Sequence, residues 1–232
     1  MKDPLARVAV ALDTPDRNEF GRWCAFFGPR VGVLKVGLEA FVRWGPDAVA
    51  EARGAGRAVF LDLKLHDIPN TVAGAVGAAS ALGVDYLTVH AAGGEAMLRA
   101  AVEAAGDRLH ILAVTVLTSL DNEALRALGM PGEAAERAAG WTALARAAGC
   151  AGVVCSPQEA AALRRTAPRP FLLVTPGIRA GGADAGDQRR TATAVEAVAA
   201  GADLLVIGRP LTRAENPERQ LAELAAGLAG TT

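Results

Sequence analysis

Phe60-Leu61-Asp62-Leu63-Lys64-Leu65-His66-Asp67-Ile68-Pro69-Asn70-Thr71 sets two acids and an amine among leucines at strand spacing. Side chains alternate along a strand, so Leu61, Leu63 and Leu65 share one face while Asp62 and Lys64 share the other. The apolar flanks are those of a strand buried on both faces, as in a parallel sheet covered by helices. Ile68-Pro69 breaks regular structure. Asp67 therefore lies just past the strand end, where it folds back towards the same space or reaches out to a neighbour. A buried structural ion pair and an edge strand with a solvated face are the competing readings of Asp62 and Lys64. The flanks argue against an edge, and a buried pair gains little once desolvation is counted, so chemistry is the stronger reading.

Outward from this stretch, short β-rich runs recur at intervals of roughly thirty residues, each followed by an Ala-rich segment of helical character. The runs are Val8 to Leu12, Val31 to Val36, Ala58 to Leu63, Tyr86 to His90, His110 to Thr115, Gly152 to Cys155, Phe171 to Val174 and Leu204 to Ile207. Glu95 to Ala105 and Gly132 to Ala148 carry mixed charge and read as amphipathic outer helices. Eight βα units predict an α/β protein, a (β/α)8 TIM barrel in which residues 1–232 form a single domain, rather than an open doubly wound sheet.

Composition narrows the function classes. Hydrophobic residues make up 51% and charged residues 21%, with a formal net charge of -1, which argues against a polyanion-binding surface and against a disordered chain. Nucleic acid is not an expected partner. Met1-Lys2-Asp3-Pro4 leads straight into an apolar strand run without a signal-peptide core, and no apolar stretch approaches membrane-spanning length. A cytoplasmic protein without membrane contact is the expectation. Cys24, Cys150 and Cys155 form an odd set without zinc or redox spacing and read as reduced, mostly buried thiols.

Catalytic groups of such barrels lie at the C-terminal strand ends, and here those ends are polar. The first strand finishes at Asp13, the second carries Lys35, the third gives Asp62 and Lys64, and the fourth ends at His90. The fifth leads into Thr118 and Ser119, the seventh into Pro176-Gly177-Ile178-Arg179, and the eighth into Gly208-Arg209-Pro210. Glycine lets backbone N–H groups approach an anion and arginine offers a bidentate fork, so the last two sets together read as a phosphate site. Ala180 to Asp187, rich in Gly, Ala and Asp, reads as a mobile loop with Gln188 at its far end, either a lid over ligand or a passive linker. Lys35, in an otherwise apolar strand, needs a nearby carboxylate or an anionic ligand, and Asp62 can serve. His66, His90 and His110 read as structural, and no pair has metal-ligand spacing, so no metal is expected.

Several pieces taken together resemble the orotidine 5′-phosphate decarboxylase family. They are Val10-Ala11-Leu12-Asp13, Lys35-Val36-Gly37, Asp62 to Thr71, Val89-His90-Ala91, Thr175 to Arg179, Gly186-Asp187-Gln188 and Gly208-Arg209-Pro210. They span nearly the whole chain; the third-strand motif is highly specific, whereas the phosphate pieces recur in many barrels. Thr193-Ala194 departs from the Thr-Pro common in bacterial relatives, at a helix start rather than at the site.

The resemblance implies removal of the C6 carboxylate of orotidine 5′-phosphate to give uridine 5′-phosphate, the last step of de novo pyrimidine nucleotide synthesis, without metal or organic cofactor. It implies that Lys64 stabilises the charge developing at C6 and delivers the proton, that Asp62 faces the departing carboxylate, and that Lys35 and Asp67 complete an alternating charged array. It further implies a homodimer in which Asp67 enters the partner's site. Asp13 and Asp67 with Lys35 would hold ribose hydroxyls, Ser119 the pyrimidine edge, and Gln188, Arg209 and the Gly208 backbone the phosphate. Ile68, Thr71, Pro176 and Arg179 complete the implied substrate contacts. Two alternatives stand beside it. One is a magnesium-dependent sugar-phosphate decarboxylase or aldolase of the same barrel suite, whose acidic metal ligand on the second strand is replaced here by Lys35. The other is a non-enzymatic phosphometabolite-binding barrel, which has no need for Asp62 beside Lys64.

Overall fold

Runs of Val, Leu, Ile and Ala, each too short for a helix and each followed by an alanine-rich stretch, become strands with helices between them. The computed structural model describes residues 3–179 and 190–231. Its strands are β1 (Val8–Ala11), β2 (Val33–Gly37), β3 (Val59–Leu65), β4 (Tyr86–His90), β5 (His110–Val114), β6 (Gly152–Val154), β7 (Leu172–Thr175), β8 (Ile178–Arg179), β9 (Ala192–Thr193) and β10 (Leu204–Ile207). Eight of them close a barrel in the order β1-β10-β7-β6-β5-β4-β3-β2, and every neighbouring pair is parallel. The expected (β/α)8 architecture is thus the observed one.

Alternation divides each strand between two cores. Ala9, Ala11, Val33, Phe60, Leu112, Val174, Leu204 and Val206 fill the barrel interior. Their neighbours, among them Val8, Val10, Leu34, Leu61 and Leu87, join the larger core beneath the helices. Most strand residues are therefore buried on both faces, which is why the runs read as nearly continuously apolar. The helices include Gly94–Ala105 and Ala134–Ala147, close to the expected bounds. Pro69 opens the Pro69–Ala81 helix at its first turn, where a missing N–H costs nothing. No helix among the described residues is long and apolar enough to cross a membrane.

Three features depart from a plain reading of the runs. β3 extends to Leu65, and its pairing with β4 shifts from Leu61 opposite Leu87 to Leu65 opposite Val89, so four residues advance against two. Lys64 sits inside this irregularity with φ 51°, the only left-handed non-glycine residue among those described. Outside the barrel, β8 and β9 form a small parallel pair, Arg179 opposite Thr193. Thr193 also caps the Ala194–Ala199 helix through a reciprocal capping box with Glu196, so this helix start is intact at the Thr193-Ala194 departure. The expected loop Ala180 to Asp187, and Gln188 with it, lie outside the described residues.

Candidate active site

The strand ends of β1, β2 and β3 assemble a chain of alternating charge. Lys35 is almost fully buried, and its Nζ lies 3.5 Å from Asp13 Oδ1 and 3.5 Å from Asp62 Oδ2. Lys64 Nζ donates to both Asp62 oxygens, at 2.8 and 2.9 Å. The order in space is Asp13, Lys35, Asp62, Lys64. Gly37 makes room for it, because a Cβ there would stand 2.6 Å from Asp13 Oδ1 and 2.9 Å from Lys35 Nζ.

This packing changes the titration of its members. Burial by itself pushes the Asp62 carboxyl up, but the Lys35 and Lys64 ammoniums, with hydrogen bonds from Lys64 and Thr88, outweigh it and hold the group below the ordinary carboxylate value. Burial likewise pushes Lys35 down, and Asp62 followed by Asp13 reverses this, leaving the ammonium above its ordinary value. Both groups are therefore charged at neutral pH. The neighbouring His90 is held below the ordinary imidazole range, chiefly by burial and then by His66 and Lys64. A neutral imidazole results at pH 7.

These side chains line a cavity of about 540 Å³, within the range that holds a small organic ligand. Phe60, Val114, Val154 and Val206 supply apolar lining, while Pro176 and Gly177 come from the turn after β7, Arg179 from β8, and Gly208, Arg209 and Arg213 from the segment after β10. Gly177 has φ 81°, which a side chain would resist, so the turn after β7 depends on it. A ligand with one anionic end meets arginines there and the buried charge chain at the other strand ends. Beneath this mouth, Arg190 pairs with the buried Glu159 and donates to the carbonyls of Val116 (3.2 Å) and Leu117 (3.0 Å). It ties the segment leading into β9 to the loop after β5.

A family model described as Orotidine 5'-phosphate decarboxylase / HUMPS family matches residues 6–224. The chain belongs to this family. A relative from Thermobifida fusca named orotidine 5'-phosphate decarboxylase is 55% identical over 227 residues, covering 97% of each chain. One of the same name from Anaeromyxobacter dehalogenans is 52% identical and covers 97% of this chain and 99% of that one. A crystal structure of orotidine 5'-phosphate decarboxylase from Lactobacillus acidophilus superposes with a TM-score of 0.84 at 34% identity, covering 95% of this chain and 98% of that one.

Of the family residues expected from the sequence, the cavity brings together Asp13, Lys35, Asp62, Lys64, Pro176, Arg179, Gly208 and Arg209. Asp67, Ile68 and Thr71 are exposed and are not among its described lining, and the Asp67 carboxylate accepts from the Ile68 N–H at 2.6 Å. Within this one chain the alternating charge runs Asp13, Lys35, Asp62, Lys64, and Asp67, expected to reach a partner's site, stands on the exposed surface. Ser119 is exposed one residue beyond Thr118, which does line the cavity. Sequence reasoning passed over Arg213, Arg190 and Thr88. Thr88 had a signal: it is a polar residue two positions before His90 on a strand whose alternate side chains face inward.

Proposed function

We propose that this decarboxylase-family protein removes the C6 carboxylate of orotidine 5′-phosphate to give uridine 5′-phosphate, with residues 1–232 acting as one catalytic domain. The observation that carries the reading is Asp62 held as an anion between two ammoniums in the wall of a cavity that arginines also line. The substrate's phosphate meets Arg179, Arg209 and the Gly208 backbone, joined by Gln188, which directs the pyrimidine towards Lys64. Ribose hydroxyls fall to Asp13 and Lys35, the pyrimidine edge to Ser119, and Pro176 packs at the base. As carbon dioxide departs, negative charge develops at C6. The Lys64 ammonium, preorganised in a site of low dielectric, stabilises that charge and transfers a proton to carbon. Lysine is neutral after the step and is reprotonated from solvent. Asp62 beside the departing carboxylate holds the Lys64 side chain in place.

Asp67, Ile68 and Thr71 belong in this proposal to a homodimer, each chain lending them to its partner's site. Their exposure on the single chain supports the reading. The magnesium-dependent relatives fit less well, since the second-strand position is Lys35, whose ammonium would repel a divalent cation. Loss of orotidine 5′-phosphate absorbance, followed after exhaustive EDTA treatment, tests the reading with Lys64→Ala as control. Metal-independent conversion that the variant loses is the expected result. A folded protein that turns over only sugar phosphates, and only with magnesium restored, overturns it.

A further inference from the structure

We infer that Thr88 is a positioning residue for this reaction: one buried hydroxyl holds both the backbone from which Lys64 projects and the carboxylate that Lys64 grips. The inference rests on the reading of Lys64 as the proton donor. Thr88 is fully buried on β4. Its Oγ1 accepts the Lys64 backbone N–H at 2.8 Å and donates to Asp62 Oδ1 at 2.9 Å. The hydroxyl has one proton, and with that proton committed to the carboxylate a lone pair is left for the N–H.

The need for such a residue comes from the shifted pairing of β3 with β4. Where four residues advance against two, the regular ladder is interrupted, and a buried N–H without a partner is costly. Lys64 also holds a left-handed backbone, which a residue with a Cβ resists unless its surroundings enforce it. A side-chain hydroxyl at the level of the missing ladder bond meets both demands. It stabilises the bend that turns Lys64 into the cavity and, through Asp62, sets where the ammonium stands. The anionic end of the substrate is gripped from β8 and the residues after β10, and Thr88 lies on β4, which pairs with neither β8 nor β10, so its loss acts on the chemical step rather than on binding.

The test compares Thr88→Val, which keeps the shape and deletes the hydroxyl, with Thr88→Ser, which restores it. Displacement of a reacting group by about 1 Å is worth up to roughly 100-fold in rate. T88V is therefore expected to lose about 10- to 100-fold in kcat with KM near the wild-type value, and T88S to recover most of that loss. A kcat unchanged in T88V, a loss confined to KM, or a T88S as impaired as T88V overturns the inference. Where T88V does not fold, Thr88→Ala deletes the same hydroxyl, and failure of both to fold would make the residue structural only. A crystal structure of the hydroxyl-deleted variant tests the same point without turnover. Lys64 retaining its φ and its Asp62 contacts would overturn the role of Thr88, whereas an inactive wild-type protein would overturn the decarboxylase reading instead.

Discussion

Replacing Lys35 with methionine removes the buried cation while keeping its volume, and the structure sets what this should cost. At 3.5 Å from Asp62, the gross attraction at an effective dielectric of about 20 is about 5 kcal/mol. The equal distance to Asp13 counts for less, because that side chain is 52% exposed and solvent screens it. Desolvation of the ammonium offsets part of the total, yet the variant leaves Asp62 buried with one cation instead of two, a loss of about 3–5 kcal/mol. The cost should depend on pH in one direction. In the native protein Asp62 lies below its ordinary value of 3.8, so it contributes stability that is present above that pH and lost as pH falls through the folded value. Without Lys35 the folded carboxyl moves up, and protonation relieves the variant earlier. Lys35 itself lies above its ordinary 10.5, so its charge is constant across the acid range. Urea unfolding of wild type and Lys35→Met at pH 7 and pH 4 is the assay, with a stability gap at pH 7 that narrows at pH 4. A gap below about 1 kcal/mol at pH 7, or one that widens in acid, would refute the reasoning.

Gly37→Ala should separate site from fold. Its Cβ would press on the tips of Asp13 and Lys35, which are able to move, so activity should fall at least about tenfold while the unfolding temperature shifts by only a few degrees. Arg190→Met strands the buried Glu159, whose carboxyl burial already pushes above its ordinary range. A cost of about 3–5 kcal/mol, or roughly 6–20 °C in thermal unfolding, is expected at pH 7, shrinking towards pH 5 as Glu159 takes up a proton. All three cysteines are buried, and burial pushes Cys24 and Cys150 up to about 12 and Cys155 higher still. A thiol reagent at pH 8 should therefore label none in the native protein and all three in denaturant; labelling of Cys155 without unfolding would show that the cavity opens.

The barrel was legible because strands buried on both faces must be written as short apolar runs, and eight of them at regular spacing leave few other architectures. Lys35, Asp62 and Lys64 were legible for a related reason, since a charge in such a run is tolerated only beside an opposite charge. Asp13, Arg179, Gly208 and Arg209 followed from their places at strand ends. The sequence by itself therefore determined the architecture and most of the charged residues of the cavity lining. The shift between β3 and β4 was not legible, because residue-by-residue alternation carries no record of how a neighbouring strand is paired. Nor was the part played by Thr88, whose value depends on an N–H 24 positions away in the chain. Nor was the place of Arg190, whose buried partner Glu159 lies 31 positions away in the chain. Only the tertiary structure decided these, for the strength of a hydrogen bond or an ion pair depends on distance and on the exclusion of water, and both are set by which strands and loops become neighbours.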